Sequence, residues 1–202
     1  MEEKQLSGQE SLALINEMIS KAKHEIKDDG KGWLIWGGMI FLAAITTYII
    51  AVFKLPVSLW IGWNAFGIIA ILLMVYSILK PKKTPRAKTY VDELLRLFDI
   101  GFTVCIFIII ISININQNPS VGFGYFLMVY AFLMLIEGGA LRFKPLLIGA
   151  VVNWLGAIAI FLVEDFKYDM LITAGAVFIG YIIPGLMLRS QYRKRLEQGL
   201  SR

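Results

Sequence analysis

WLIWGGMIFLAAITTYIIAVF, from Trp33 to Phe53, runs for 21 residues without one charged side chain. About 20 predominantly apolar residues in an α-helix cross the ~30 Å hydrocarbon layer of a bilayer, so the stretch reads as a membrane span. Five more uncharged runs follow, at Ser58–Leu79, Ile100–Asn114, Val121–Ile136, Leu146–Val163 and Met170–Leu188. The third and fourth are short, and reach spanning length if Phe98-Asp99 and Glu137–Leu141 extend them into the headgroup zone. The expected spans are therefore 33–53, 58–79, 98–115, 121–140, 146–163 and 170–188.

Composition agrees with this reading. Of 202 residues, 57% are hydrophobic and 17% charged, against roughly 45–50% and about 25% in a soluble domain. A water-soluble fold of this size has too little interior to hide such a surplus, which excludes a soluble enzyme, a secreted disulfide scaffold and a disordered tail. A membrane β-barrel needs strands of roughly 10 residues that alternate apolar and polar. Ile106 to Ile111 is apolar on both parities, which fits helices. The expected fold is an all-α, polytopic bundle of six transmembrane helices. A cytoplasmic amphipathic helix in 1–31 precedes the membrane domain in 32–189, and a basic cytoplasmic tail, 190–202, follows it. The first apolar run starts behind a long polar segment and is too long for the core of a cleavable signal peptide.

The net charge of +5 is a matter of topology. Numbering the loops alternately puts 18 of the 20 Lys and Arg residues on one side and only Lys54 and Lys167 on the other. The positive-inside rule then places both termini in the cytoplasm. No nucleic-acid motif accompanies the charge, and none is expected to bind. Trp33, Trp36, Trp60 and Trp63 fall near span ends, where interfacial belts form. The basic loop holding Lys80, Lys82, Lys83, Arg86 and Lys88 is an expected contact for anionic headgroups, at about 1 kcal/mol for each charge beside the surface.

The cytoplasmic segment carries a docking pattern. Leu12, Ile15, Ile19, Ala22 and Ile26 recur at a 3-4-3-4 spacing, which lines one narrow face of a helix, with a capping box at Ser7-Gly8-Gln9-Glu10. Its polar face is mixed in sign, whereas a helix that lies on anionic lipid has a mainly basic one. Docking onto protein, either a partner or a second copy, is the expectation.

Residues able to carry chemistry are few. There is one His, His24, and one Cys, Cys105, so no metal site or intrachain disulfide is expected. Gly122-Phe123-Gly124 opens like a dinucleotide loop but has Leu127 in place of the third glycine. No catalytic constellation and no cofactor motif is present. The candidate intramembrane polar or ligand site comprises Glu137, the one acid read as lying inside a span, together with Asn153, Trp154 and Asn64, because polar groups at membrane depth are costly. Gly149 and Gly156 in span five, and Ala176 and Gly180 in span six, are candidate helix-packing positions, since small residues let backbones approach. Pro184-Gly185 is a candidate hinge near the end of span six.

The run Gly138-Gly139-Ala140-Leu141-Arg142-Phe143-Lys144-Pro145-Leu146-Leu147-Ile148-Gly149, with Gly180-Tyr181-Ile182-Ile183-Pro184-Gly185 and the opening Leu12 to Trp36, resembles a family of bacterial six-helix inner-membrane proteins with no assigned activity. The resemblance implies the same topology and membrane, and no residue inherits a role from it. Two functions remain open on the sequence: protein–protein docking through the cytoplasmic helix and basic loops, or a small-solute or ion transporter, including the membrane substrate-binding subunit of one.

Overall fold

The computed structural model describes residues 29–79, 90–116, 118–163 and 165–200, and within these residues it contains helices and no strand. The helices are α1 (Lys31–Phe53), α2 (Ile61–Leu79), α3 (Tyr90–Asn116), α4 (Pro119–Ala140), α5 (Lys144–Leu162), α6 (Phe166–Val177) and α7 (Ile183–Leu200). A π-helical turn, Phe178–Ile182, joins α6 to α7 without a break. Among the described residues, five segments are long and apolar enough to cross a membrane: Lys31–Phe53, Glu93–Asn116, Pro119–Ala140, Lys144–Leu162 and Phe166–Lys194. The apolar helix Ile61–Leu73, within α2, is shorter than these.

Each helix end has a local cause. Gly30, at φ 71, turns the chain into α1, where Asp29 Oδ1 accepts from the Lys31 N–H at 3.1 Å. Lys54, at φ 49, ends α1 in the left-handed conformation, its N–H reaching back to the Ile50 carbonyl. Span two begins three residues later than its sequence suggests. Residues 58–60 form a turn in which Ser58 Oγ accepts from the Trp60 N–H, and the Leu59 carbonyl accepts from Thr47 Oγ1 at 2.9 Å. Asn118 and Pro119 start α4, with Asn118 Oδ1 accepting from the Val121 N–H. Between α4 and α5 the N–H of Phe143 bonds to the Gly138 carbonyl at 2.9 Å, and that of Arg142 to Gly139 at 3.2 Å. This is the paired bonding of a Schellman stop, in which the left-handed position is usually Gly. Here it is Arg142, at φ 52.

The interior is built by α1, α4, α5 and α6. The α4–α5 hairpin is the most extensive contact, and α6 fills the space between α5 and α1. Ile40, Leu127, Met134, Leu146, Ile160, Met170 and Val177 are fully buried within it. By contrast, α2 packs against α1 and α3 against α4, and neither packs substantially against the other. That gap positions the groove described below. The docking stripe Leu12 to Ile26 and the basic loop Lys80 to Lys88 lie outside the described residues.

Candidate functional site

The residues singled out in the sequence go to four different places. Asn153 is fully buried in the α5–α6 contact, where Nδ2 donates to the carbonyls of Gly149 at 2.9 Å and Ala176 at 3.3 Å and approaches Met134 Sδ at 3.5 Å. Its Oδ1 has no hydrogen-bond partner. Trp154 is half-buried and turns its ring to Phe132 of α4, edge to face, at 5.4 Å. Glu137 sits half-buried in the last turn of α4. Asn64 is exposed, one turn into α2. The four do not assemble into one site, and Asn153, Trp154 and Glu137 line neither of the two clefts described below.

The small residues share the Asn153 seam. A Cβ on Gly149 would stand 2.9 Å from Gly180 Cα, and one on Gly180 would collide with Asn153 Nδ2. Gly156 faces Ala176 and Leu127 in the same way. The π turn explains how α6 comes this close. Pro184 offers no N–H, and its ring conflicts with the carbonyl four residues back, that of Gly180. The helix accommodates this by widening for one turn, with the Ile183 N–H bonding to the Phe178 carbonyl five residues back. Pro184 and Gly185 themselves are buried, and Gly185 packs on Trp33 and Leu34 of α1. The distortion therefore lies upstream of the residues that signal it.

Between α2 and α3 lies a groove of about 490 Å³. Trp60, Trp63, Phe66 and Gly67 form one wall, Ile106, Ile110 and Ile113 the other, and Phe123, Phe126 and Tyr130 of α4 the floor. Trp63 stacks on Phe123 at 4.8 Å, and Phe66 closes edge to face on Trp63 at 6.0 Å. The polar members, Ser58, Asn64 and Asn114, gather where α2 begins and α3 ends, and no charged residue lines the groove. Trp60 and Trp63 thus build a wall of this groove, where the sequence suggested only an interfacial belt. A second cleft of about 210 Å³ lies at the α3–α4 turn beside Ser112, Asn116 and Asn118.

One functional candidate was missed. Asp169 is the acid that α6 buries completely, at 0% exposure. It stands at the boundary between a charged loop and an apolar run, and an uncharged-run reading assigns such a residue to the loop. Among the described residues no three His, Cys, Asp or Glu side chains gather as a metal site would require.

No family model, curated protein or solved structure matches the chain. The resemblance read from Leu12 to Trp36, Gly138 to Gly149 and Gly180 to Gly185 therefore rests on those residues alone.

Proposed function

We propose that this is a membrane-embedded binding protein which holds a neutral, single-chain amphiphile in the groove between α2 and α3. The supporting observation is the distribution of side chains in that groove. Its volume lies in the ordinary range of ligand sites, roughly 300–1,000 Å³. Its length is mainly aromatic and aliphatic, with the Tyr130 hydroxyl on its floor, and its more polar end holds the Ser58 hydroxyl and the Asn64 and Asn114 amides without a charge. An apolar chain fits the first part and an uncharged hydrogen-bonding head the second, whereas an anionic head would find no Lys or Arg there. A polar-solute path through the bundle is not favoured, because the seam around Asn153 is filled by Met134, Gly149 and Gly180. Six spans with cytoplasmic termini complete the reading, supported by the 18-to-2 sorting of basic residues, and the bacterial inner membrane enters only through the family resemblance.

A diazirine-bearing monoacylglycerol tests it on the purified chain in nanodiscs. Photolabelling is expected to concentrate on α2, α3 and the floor of α4, and to fall on substitution of Gly67, a groove residue with open space around its Cβ position, by Phe. Labels spread evenly over exposed faces such as Val151 and Leu155 of α5, indifferent to Gly67→Phe, would remove the proposal.

One observation favours docking of a protein as a second reading. The apolar window of Glu93–Asn116 has a mean hydropathy of 2.5, yet only 6% of it is buried. Gly101 has nothing within 4 Å of its Cβ position, and Cys105, one turn on, is exposed. If a second copy covers this face, mild oxidation in native membranes yields a Cys105-linked dimer that Cys105→Ser abolishes.

A further inference from the structure

Asp169 poses an electrostatic problem that the described side chains leave unsolved. Its carboxylate is fully buried, and neither oxygen has a hydrogen-bond partner. Ser120, in the first turn of α4, lies close enough to act on the carboxylate but makes no hydrogen bond of standard geometry with it. Lys167 is committed to Asp165 at 2.6 Å, and among the described residues no Lys or Arg forms an ion pair with Asp169. A buried carboxylate without a counter-charge is costly, so Asp169, when ionised, draws its counter-charge from outside the described side chains.

Thr173 indicates what that is. It lies four residues on, on the same face of the helix, is 3% exposed, and its Oγ1 has no partner. A helical Thr ordinarily returns its hydroxyl to the carbonyl four residues back, as Thr47 does to Ala43 at 3.0 Å. Thr173 instead leaves its oxygen free beside the acid. One carboxylate and two hydroxyls make a set of hard oxygen donors with a single negative charge. Ca²⁺ and Mg²⁺ sites gather more oxygen ligands than this, carboxylates prominent among them, and the second acid that acts on Asp169, Asp165, is held by Lys167 at 2.6 Å. Softer metals would require nitrogen or sulfur donors. The exposed Asp165, one turn earlier, and the half-buried Lys167 place the site within one helical turn of the bundle's end, so an ion has a short way in.

We propose that Asp169, Thr173 and Ser120 form a binding site for a monovalent hard cation, Na⁺, at the end of the bundle where α4 and α6 begin. The proposal does not depend on what occupies the groove.

The purified full chain in detergent tests it by thermal unfolding, with NaCl exchanged for choline chloride at constant ionic strength. The expected result is a saturable rise in Tm with Na⁺ that Asp169→Asn abolishes and that Thr173→Val and Ser120→Ala weaken. Asp169→Asn keeps the shape while removing the charge, so it is expected to unfold no earlier than the parent chain in choline. An equal Na⁺ response in the parent chain and Asp169→Asn overturns the site. So does a Tm indifferent to Na⁺ that climbs on acidification, which would place a proton on the carboxyl instead. Should Asp169→Asn fail to fold, broadening of the ²³Na resonance by the parent chain, compared with Thr173→Val, decides the matter: equal broadening overturns the proposal.

Discussion

Asn153 Nδ2 donates to the Ala176 carbonyl at 3.3 Å, tying α5 to α6 immediately before the π turn. The same amide group bonds within its own helix to Gly149 at 2.9 Å, so one side chain fixes both the approach and the register of the two helices. Asn153→Ala removes both bonds and leaves a gap beside Met134, at an expected cost of about 1–2 kcal/mol. Thermal unfolding in detergent measures it against Asn116→Ala, an exposed amide at the end of α3, for which little change is expected. Equal shifts would mean that the seam does not depend on the bond.

Two glycines should separate on substitution by alanine. At Gly149 the new methyl would meet backbone atoms of Gly180 at 2.9 Å, which cannot yield as a flexible side chain can, so about 1–3 kcal/mol is lost to overpacking. Nothing lies within 4 Å of the corresponding position at Gly38, where Ala is expected to be neutral or to gain up to about 1 kcal/mol in helix propensity. Equilibrium unfolding of the pair in one detergent gives the contrast directly.

Arg142 occupies the left-handed position of the turn between α4 and α5, at φ 52, with its side chain exposed. A non-glycine residue there costs about 1–2 kcal/mol in backbone conformation. Arg142→Gly is expected to recover part of that and raise Tm. A fall in Tm would show that the guanidinium contributes more than the backbone strain removes.

Outside the membrane-spanning segments, the Lys31 ammonium and backbone N–H beside Asp29 hold its carboxyl below the usual range, and Asp29 Oδ2 lies 2.8 Å from Lys31 Nζ. For a depressed carboxyl the stabilisation is present above the unfolded value, about 3.9, and is lost as pH falls through the folded one. Asn at position 29 can still accept from the Lys31 N–H, so Asp29→Asn isolates the charge. The parent chain should melt slightly higher than the variant at pH 6–7, and the gap should close below pH 4 and in high salt. A gap that persists in acid would assign the effect to hydrogen bonding alone.

Much of the helical framework was legible because most spans announce themselves by an uncharged run between charged residues, while the polar Asn114 to Ser120 divides the third from the fourth. The chain also showed which residues are small enough for close approach, and Gly149, Gly156, Ala176 and Gly180 do lie along one seam. Three features were not legible. The groove exists because α2 and α3 fail to pack together, and uncharged runs carry no information on which helices are neighbours. Pro184 marks a distortion, but the atom it disturbs is the Gly180 carbonyl, so the widened turn falls before the signal. Asp169 stands just outside the sixth uncharged run, and its burial at a helix start depends on the helices around it, here α4 with Ser120. The expected docking stripe at Leu12 to Ile26 lies outside the described residues.

The main partner of α1 is α6, and its contact with α2 is smaller. During synthesis α6 emerges roughly 110 residues after α1 is complete, a delay of roughly 5 to 25 s at ~5–20 residues per second. Throughout that interval Ile40, Ala44 and Ile50, buried in the finished bundle, can be satisfied by lipid, but the hydroxyl of Thr47 cannot. It is already provided for, since both its acceptors, the carbonyls of Ala43 and Leu59, belong to the first hairpin. On the α1 face that α6 will cover, the first hairpin thus carries its own acceptors for Thr47 and can wait in the bilayer for that helix.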